Sequence, residues 1–178
     1  LTLWEATAPK CRQSPYCISS HGLALMDSGH LQRGGDELVE AVRLRPSPQF
    51  LAYLGDALTL SARNYPEAIK VFNLALRDVR EPGIERFGPR TGALYGKLAR
   101  AYIKQGELDL ASQAVRTGAQ YDLRNPVLAM ADIYLQWRLG NREGAVGSLQ
   151  AVSQMTGIQG NYAEYLDRFW ANRQETDQ

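Results

Sequence analysis

The chain has 178 residues, of which 44% are hydrophobic and 22% are charged, so it is long and apolar enough to bury a core. Its 20 Lys and Arg residues nearly balance 19 Asp and Glu residues, and a net charge of +1 attracts neither phosphate backbones nor anionic membranes. No apolar run approaches the roughly 20 residues that cross a bilayer, so we expect neither nucleic acid nor a membrane as a partner of this segment.

The first residues of the chain favour a helix, and residues 1–13 are predicted to form an N-terminal helix. The sequence begins at Leu1 without an initiator Met, which suggests a piece of a longer protein. The lack of a signal sequence therefore excludes nothing, and the full-length protein can carry a membrane anchor outside this segment.

Two helix-turn-helix units are predicted next, over residues 15–48 and 49–82. In the second unit, Pro66 suits the first turn of the second helix, where its missing N–H is not needed. The turn before it, residues 61–65, is one residue longer than the corresponding turn of the other units.

The second half of the chain is predicted to continue the same organisation. A stretch with two Pro and two Gly, within residues 81–91, is predicted to be a loop. Two more helical units follow over residues 92–125 and 126–157, and the last of them has Ile133 where a small residue is usual, which predicts a wider helix pair. The amphipathic residues 161–174 are predicted to form a capping helix that covers the last apolar face.

Small and aromatic residues recur 34 positions apart along these units. The matching pairs are Gly34 with Ala68, Leu38 with Phe72, Ala41 with Ala75, Gly106 with Gly140, and Ala111 with Ala145. In this period and pattern the chain resembles the tetratricopeptide-repeat family from Pro15 to about Gly157. The resemblance implies an all-α, right-handed solenoid of about four repeats with capping helices at its ends, forming a single domain over residues 1–178.

The resemblance also implies a partner-binding groove, because tetratricopeptide solenoids bind proteins or peptide segments along a wall lined by fixed positions of each first helix. The residues at those positions, which we call the wall residues, include Tyr16, Ser19, Met26, Asp56, Arg100, Lys104, Tyr134, Trp137 and Arg138. The alternative is that the wall is only solvated, and that Tyr134 and Trp137 belong to the core of a widened fourth repeat.

Neither catalysis nor metal binding is expected from the sequence. The two histidines, His21 and His30, have no carboxylate or cysteine at a spacing that defines a metal site. None of the common nucleophile, phosphate-loop or metalloprotease motifs occurs. We therefore expect a protein that is not an enzyme and that uses no cofactor.

The two cysteines of the chain, Cys11 and Cys17, flank a short turn. Side chains placed in this way can reach the Cα separation of roughly 4.4–6.8 Å that a disulfide needs, so one prediction is a disulfide formed in an oxidising compartment. The alternative is a pair of small buried hydrophobic residues in a reducing cytosol. Zinc is not expected, because the pair offers only two ligands.

The residues before the first repeat carry a second resemblance. Residues 3–7 (Leu-Trp-Glu-Ala-Thr), followed by Lys10 and a short turn, are similar to the junction between the last membrane helix and the C-terminal periplasmic repeat domain of bacterial polytopic glycan transferases, O-antigen ligases and polymerases. This resemblance implies a non-catalytic protein–protein interaction module of a membrane glycan-assembly protein, with a periplasmic or other extracytoplasmic location. The alternative is a free-standing tetratricopeptide adaptor or assembly factor for secretion or pilus biogenesis.

Overall fold

The computed structural model describes residues 14–60, 63–79 and 88–171. Within these ranges the chain forms nine α-helices and no strand. The predicted N-terminal helix lies outside the described residues. No helix within the described ranges is both long enough and apolar enough to cross a membrane.

The helices belong to two compact units, Leu1–Phe87 and Gly88–Gln178, which are described separately. The single domain over residues 1–178 stays a prediction. Helices of the first unit are α1 (Pro15–Asp27), α2 (Leu31–Leu44), α3 (Pro48–Leu60) and α4 (Tyr65–Val79). They form two helix-turn-helix pairs that correspond to the first two predicted units, except that Pro48 begins α3, because its fixed φ suits the first helical position.

Helices of the second unit are α5 (Gly88–Gln105), α6 (Leu108–Tyr121), α7 (Pro126–Arg138), α8 (Arg142–Thr156) and α9 (Tyr162–Ala171). They correspond to the third and fourth predicted pairs and the predicted capping helix. The predicted end of the loop, at residue 91, was wrong, because α5 already begins at Gly88. Pro89 is the second residue of that helix, where no intrahelical hydrogen bond needs its N–H.

In three of the four helix pairs, the same turn joins the first helix to the second. A glycine with positive φ follows the first helix in each of them, namely Gly29 (84°), Gly106 (96°) and Gly140 (87°). The next residue donates its N–H to the carbonyl five positions earlier, from His30 to Leu25, from Glu107 to Tyr102 and from Asn141 to Gln136, at 2.8, 2.9 and 3.0 Å. The recurrence of glycine after 34 residues thus reflects one backbone conformation that favours glycine.

The turn between α3 and α4 is longer by one residue, as the sequence predicts. The Asn64 N–H donates to the carbonyl of Leu58, six positions earlier, at 2.9 Å. Arg63 is the one non-glycine residue with positive φ within the described ranges, at 48°. A side chain in this left-handed conformation costs about 1–2 kcal/mol, so the longer turn is accommodated at some expense in stability.

Small residues let the helices of the first unit approach closely. A Cβ atom added to Gly34 would lie 2.6 Å from the carbonyl oxygen of Gly22 and 2.5 Å from Cγ of Met26. A Cβ atom added to Gly55 would overlap with the ring of Phe72. These positions therefore accept no side chain unless the helices or their neighbours move.

The recurrent apolar residues form the core of each pair. In the first unit the fully buried side chains include Leu38, Ala41, Phe72 and Ala75. In the second unit, the core joins Ile103 of α5, Ile133 of α7, Ala145 and Leu149 of α8, and Leu166 of the capping helix α9. The recurrent residues within the helices thus occupy buried positions, whereas the recurrent Gly106 and Gly140 lie in exposed turns. Ile133 takes the place of the usual small residue and is buried as well.

Candidate partner-binding site

Tyr16 on α1 is an exposed aromatic wall residue, with 53% of its surface open to solvent. Its ring meets the ring of the buried Phe50 on α3 edge to face, with centroids 5.1 Å apart. The guanidinium carbon of Arg45 lies 5.7 Å from the Tyr16 ring centroid. Together these contacts hold a large amphipathic ring in one orientation while leaving half of it accessible. We call Tyr16, Arg45 and Phe50 the Tyr16 cluster.

Sequence reasoning selected Tyr16 but missed both of its partners. Arg45 lies in the linker between α2 and α3, and Phe50 lies in the first turn of α3. Phe50 could have been found from the sequence, because it is an apolar residue one repeat after Tyr16. Nothing in the sequence of the linker points to Arg45. The cluster depends on α3 packing beside α1.

The other wall residues of the first unit are less accessible. Ser19 is 3% exposed, and its Oγ donates to the backbone carbonyl of Tyr16 at 2.9 Å. A partner cannot reach this hydroxyl, so Ser19 is not an accessible wall residue. Met26 is partly buried against Gly34, and Asp56 on α3 is partly buried as well.

In the second unit, Tyr134 and Trp137 of α7 are each 5% exposed and belong to the hydrophobic core. Helix α9 contributes to their cover, because the hydroxyl of Tyr165 lies 3.2 Å from that of Tyr134, and Leu166 joins the same core. Burial, and after it the hydrogen bond with Tyr165, raises the pKa of the Tyr134 phenol. Of the two interpretations of the sequence, the structure agrees with the one in which Tyr134 and Trp137 are core residues. Their side chains are therefore not accessible to a partner.

Arg142 at the start of α8 completes the environment of Trp137. Its guanidinium carbon lies 4.2 Å from the centroid of the Trp137 ring, a cation–π distance. Its Nη1 also pairs with Oδ1 of Asp167 on α9 at 3.2 Å. Sequence reasoning missed this group, because its three members lie on three helices and follow no local spacing.

Three cationic wall residues lie in the second unit. Arg100 and Lys104 of α5 are partly buried, and Arg138 at the end of α7 is exposed. Arg100 is near enough to Tyr134 for its positive charge to oppose the rise of that pKa. Contact of these cations with a partner stays a prediction.

The residues considered for metal or redox chemistry have other roles or lie beyond the described ranges. Nδ1 of His21 lies 3.2 Å from a carboxylate oxygen of Glu37, which links α1 to α2. No group of three or more His, Cys, Asp or Glu residues that could hold a metal occurs within the described part of the chain. Cys17 is partly buried on α1, but Cys11 lies outside the described residues. The disulfide between them stays a prediction.

No protein-family profile and no curated protein matches the sequence. Solved structures do match. A chain of the APC/C hetero-tetramer Cut9–Hcn1 is similar with a TM-score of 0.69 and 19% identity, over 85% of this chain and 29% of that chain. YrrB, described as a TPR protein with an unusual peptide-binding site, has a TM-score of 0.59 and 15% identity, over 97% of this chain and 86% of its own. Pseudomonas aeruginosa PilF has a TM-score of 0.60 and 19% identity, over 92% of this chain and 70% of its own.

At 15–19% identity these likenesses establish the fold. The chain has the all-α tetratricopeptide-repeat fold, built from helix-turn-helix pairs, as the sequence predicts. It spans less than a third of the length of the Cut9–Hcn1 chain but most of YrrB and PilF. None of these three structures supports the second resemblance, to the periplasmic domains of glycan-assembly proteins.

Proposed function

We propose that this chain is a non-catalytic module that binds a protein or peptide segment, and that the Tyr16 cluster is part of its binding surface. The observation that carries the proposal is the half-exposed Tyr16 ring, held against Phe50 and beneath Arg45. Tyr and Arg are among the residue types that most often carry binding energy at interfaces. A ring that is already held in place also loses little conformational freedom when a partner binds.

The cluster indicates the chemistry of the segment that it fits. Arg45 is exposed and presents guanidinium donors next to the aromatic ring. A segment that places an apolar side chain on Tyr16 and a carboxylate on Arg45 would use both features, because guanidinium and carboxylate form paired hydrogen bonds. In the second unit, Arg100, Lys104 and Arg138 remain candidates for contact with an acidic segment.

Of the two settings considered, a free-standing adaptor or assembly factor, for example in secretion or pilus biogenesis, has the better support. YrrB and PilF match this chain over 86% and 70% of their own length. A similar fold therefore makes up most of those chains. YrrB is also described as having a peptide-binding site, which is the kind of ligand proposed here. The glycan-assembly setting rests on residues 3–7 and their flank, which lie outside the described residues.

Selection from a peptide library displayed on phage, with the purified chain as target, tests this function. Dissociation constants of the selected peptides are then measured by fluorescence anisotropy for the wild type, Tyr16→Ala and Tyr121→Ala. Tyr121 is a matched control, because it is 45% exposed and stacks on Tyr95 with centroids 5.7 Å apart, but is not a wall residue. We expect Tyr16→Ala to weaken binding by about fivefold or more, and Tyr121→Ala to leave it unchanged.

An Arg45→Ala variant separates the two parts of the cluster. It should weaken the selected peptides that contain Asp or Glu more than those that contain neither. Melting temperatures of all variants show that the fold is kept. The proposal fails if no peptide is selected, or if the selected peptides bind Tyr16→Ala as tightly as the wild type.

A further inference from the structure

A second surface lies in the second unit and includes none of the wall residues. Helices α6, α7 and α8 form an open groove of about 310 Å³, which we call the α6–α8 groove. Its lining residues are Val115, Ala119, Leu123, Leu128, Ala129, Asp132, Ile133, Ser148, Ala151 and Val152. This volume is at the lower end of the range for ligand pockets.

The groove combines an apolar lining with one charge. Among the described residues that line it, Asp132 on α7 is the only charged one, and it is partly buried. Its Oδ2 accepts a hydrogen bond from Nε2 of Gln136, one turn further along the same helix, at 2.7 Å. None of the lining residues within the described ranges is a cation that balances this carboxylate. The groove therefore presents apolar surface around a negative charge.

Leu123 stands at the groove with 77% of its surface exposed, more than the other exposed large hydrophobic residues of the described ranges. The turn that carries it is held by hydrogen bonds to Asp122. The Asn125 N–H donates to its carbonyl at 3.2 Å, Asn125 Nδ2 to Oδ2 at 3.1 Å, and the Arg124 N–H to Oδ1 at 3.2 Å. An exposed leucine beside an apolar groove enlarges the continuous apolar surface. Large exposed apolar surfaces are typical of interaction sites.

We propose that the α6–α8 groove binds a protein segment that places apolar side chains in the groove and a lysine or arginine beside Asp132. The cation follows from charge complementarity, because a partly desolvated carboxylate with a neutral amide partner gains from an ion pair. An acidic segment would be repelled by the same carboxylate. The apolar side chains would displace water from the lining and cover Leu123.

The probe for this site is a fluorescein-labelled amphipathic peptide of Leu and Lys, with matched peptides in which every Lys is replaced by Glu or Gln. Each peptide is titrated into the chain at physiological ionic strength. Asp132→Asn removes the charge and keeps a hydrogen-bond acceptor for Gln136. Ala151→Arg adds bulk and a positive charge at an exposed lining position. Asp109→Asn is the matched control, because Asp109 is an exposed carboxylate of α6 outside the groove.

We expect the Leu and Lys peptide to bind the wild type and Asp109→Asn equally, and Asp132→Asn about tenfold more weakly, which corresponds to about 1.4 kcal/mol. Ala151→Arg should abolish binding, the Glu peptide should not bind, and the Gln peptide should bind the wild type and Asp132→Asn alike. NMR signals of the methyl groups of Val115, Leu123 and Val152 should shift on addition of the Leu and Lys peptide.

Three results would overturn the proposal. The first is equal affinity of the Leu and Lys peptide for the wild type and Asp132→Asn, and the second is the absence of methyl shifts at the groove. The third is a dimer in sedimentation experiments that Ala151→Arg dissociates, because the groove would then be occupied by a second copy of the chain. Tyr16→Ala should bind this probe like the wild type, so a failure here is distinct from a failure of the Tyr16 cluster.

Discussion

The aromatic wall residues of the first and fourth helix pairs lie in opposite environments. Tyr16 in the first pair is 53% exposed, whereas Tyr134 and Trp137 in the fourth pair are each 5% exposed. The repeat register predicts all three as wall residues. They differ in their neighbours, because Tyr165 and Leu166 of α9 join the core around the fourth-pair residues. The position in a repeat sets the direction of a side chain, but the next helix decides how much of it remains exposed.

The largest effect that this comparison predicts is the loss of stability in Trp137→Ala. Removal of a buried indole should lower the free energy of unfolding by about 3–5 kcal/mol, because it leaves a cavity and removes the cation–π contact with the Arg142 guanidinium. Tyr16→Ala should cost about 1.5 kcal/mol or less, since half of that ring is already in water. Urea unfolding followed by circular dichroism measures both. Similar losses in the free energy of unfolding for the two variants would show that Tyr16 contributes as much to stability as Trp137.

Tyr134→Phe tests the hydroxyl at the centre of the fourth-pair core. The change should cost about 1 kcal/mol at neutral pH, because it leaves the Tyr165 hydroxyl without its partner. The folded-state pKa of Tyr134 is raised, so the native state holds this proton at a pH where the unfolded state releases it. This part of the stability is present below about pH 10 and is lost as the pH rises further.

The wild type should therefore lose stability above about pH 10 more steeply than Tyr134→Phe does. Denaturant midpoints measured across that pH range provide the comparison. Tyr121→Phe serves as a control on an exposed tyrosine and should follow the wild type. Parallel curves for the wild type and Tyr134→Phe would contradict the argument.

Arg142→Ala should lower the stability by about 1 kcal/mol or less, through loss of the cation–π contact with Trp137 and of the exposed ion pair with Asp167. Arg168→Ala is the matched control, because Arg168 makes an exposed ion pair with Glu164 on its own helix. That pair should contribute less than about 0.5 kcal/mol. Equal losses in thermal melts of the two variants would mean that the ring of Trp137 gains nothing from Arg142.

The helix pairs could be predicted from the sequence because each rests on local rules. A glycine with positive φ ends the first helix at Gly29, Gly106 and Gly140, and a few residues are sufficient to encode that turn. The extra residue before Pro66 was also visible, because the turn over residues 61–65 is one residue longer than the pattern. The start of α5 was missed because two Pro and two Gly within residues 81–91 were interpreted as a loop, although proline is well tolerated in a first turn.

The accessible residues could not be predicted in the same way, because accessibility depends on distant segments. Tyr165 lies 31 residues after Tyr134, and Asp167 lies 25 residues after Arg142. No pattern within one repeat shows where the following helix packs. The α6–α8 groove has the same origin, since three helices contribute its lining and each contribution looks like an ordinary apolar residue in the sequence.

The close contact between Gly22 and Gly34 has a consequence for the dynamics of the first pair. Helix α2 contains two consecutive glycines, Gly34 and Gly35, and each costs about 1 kcal/mol of helix propensity relative to alanine. Such a helix has little tendency to persist when it is detached from α1. The amide protons of α1 and α2 should therefore exchange with solvent through one shared opening event, in which the two helices separate and unwind together.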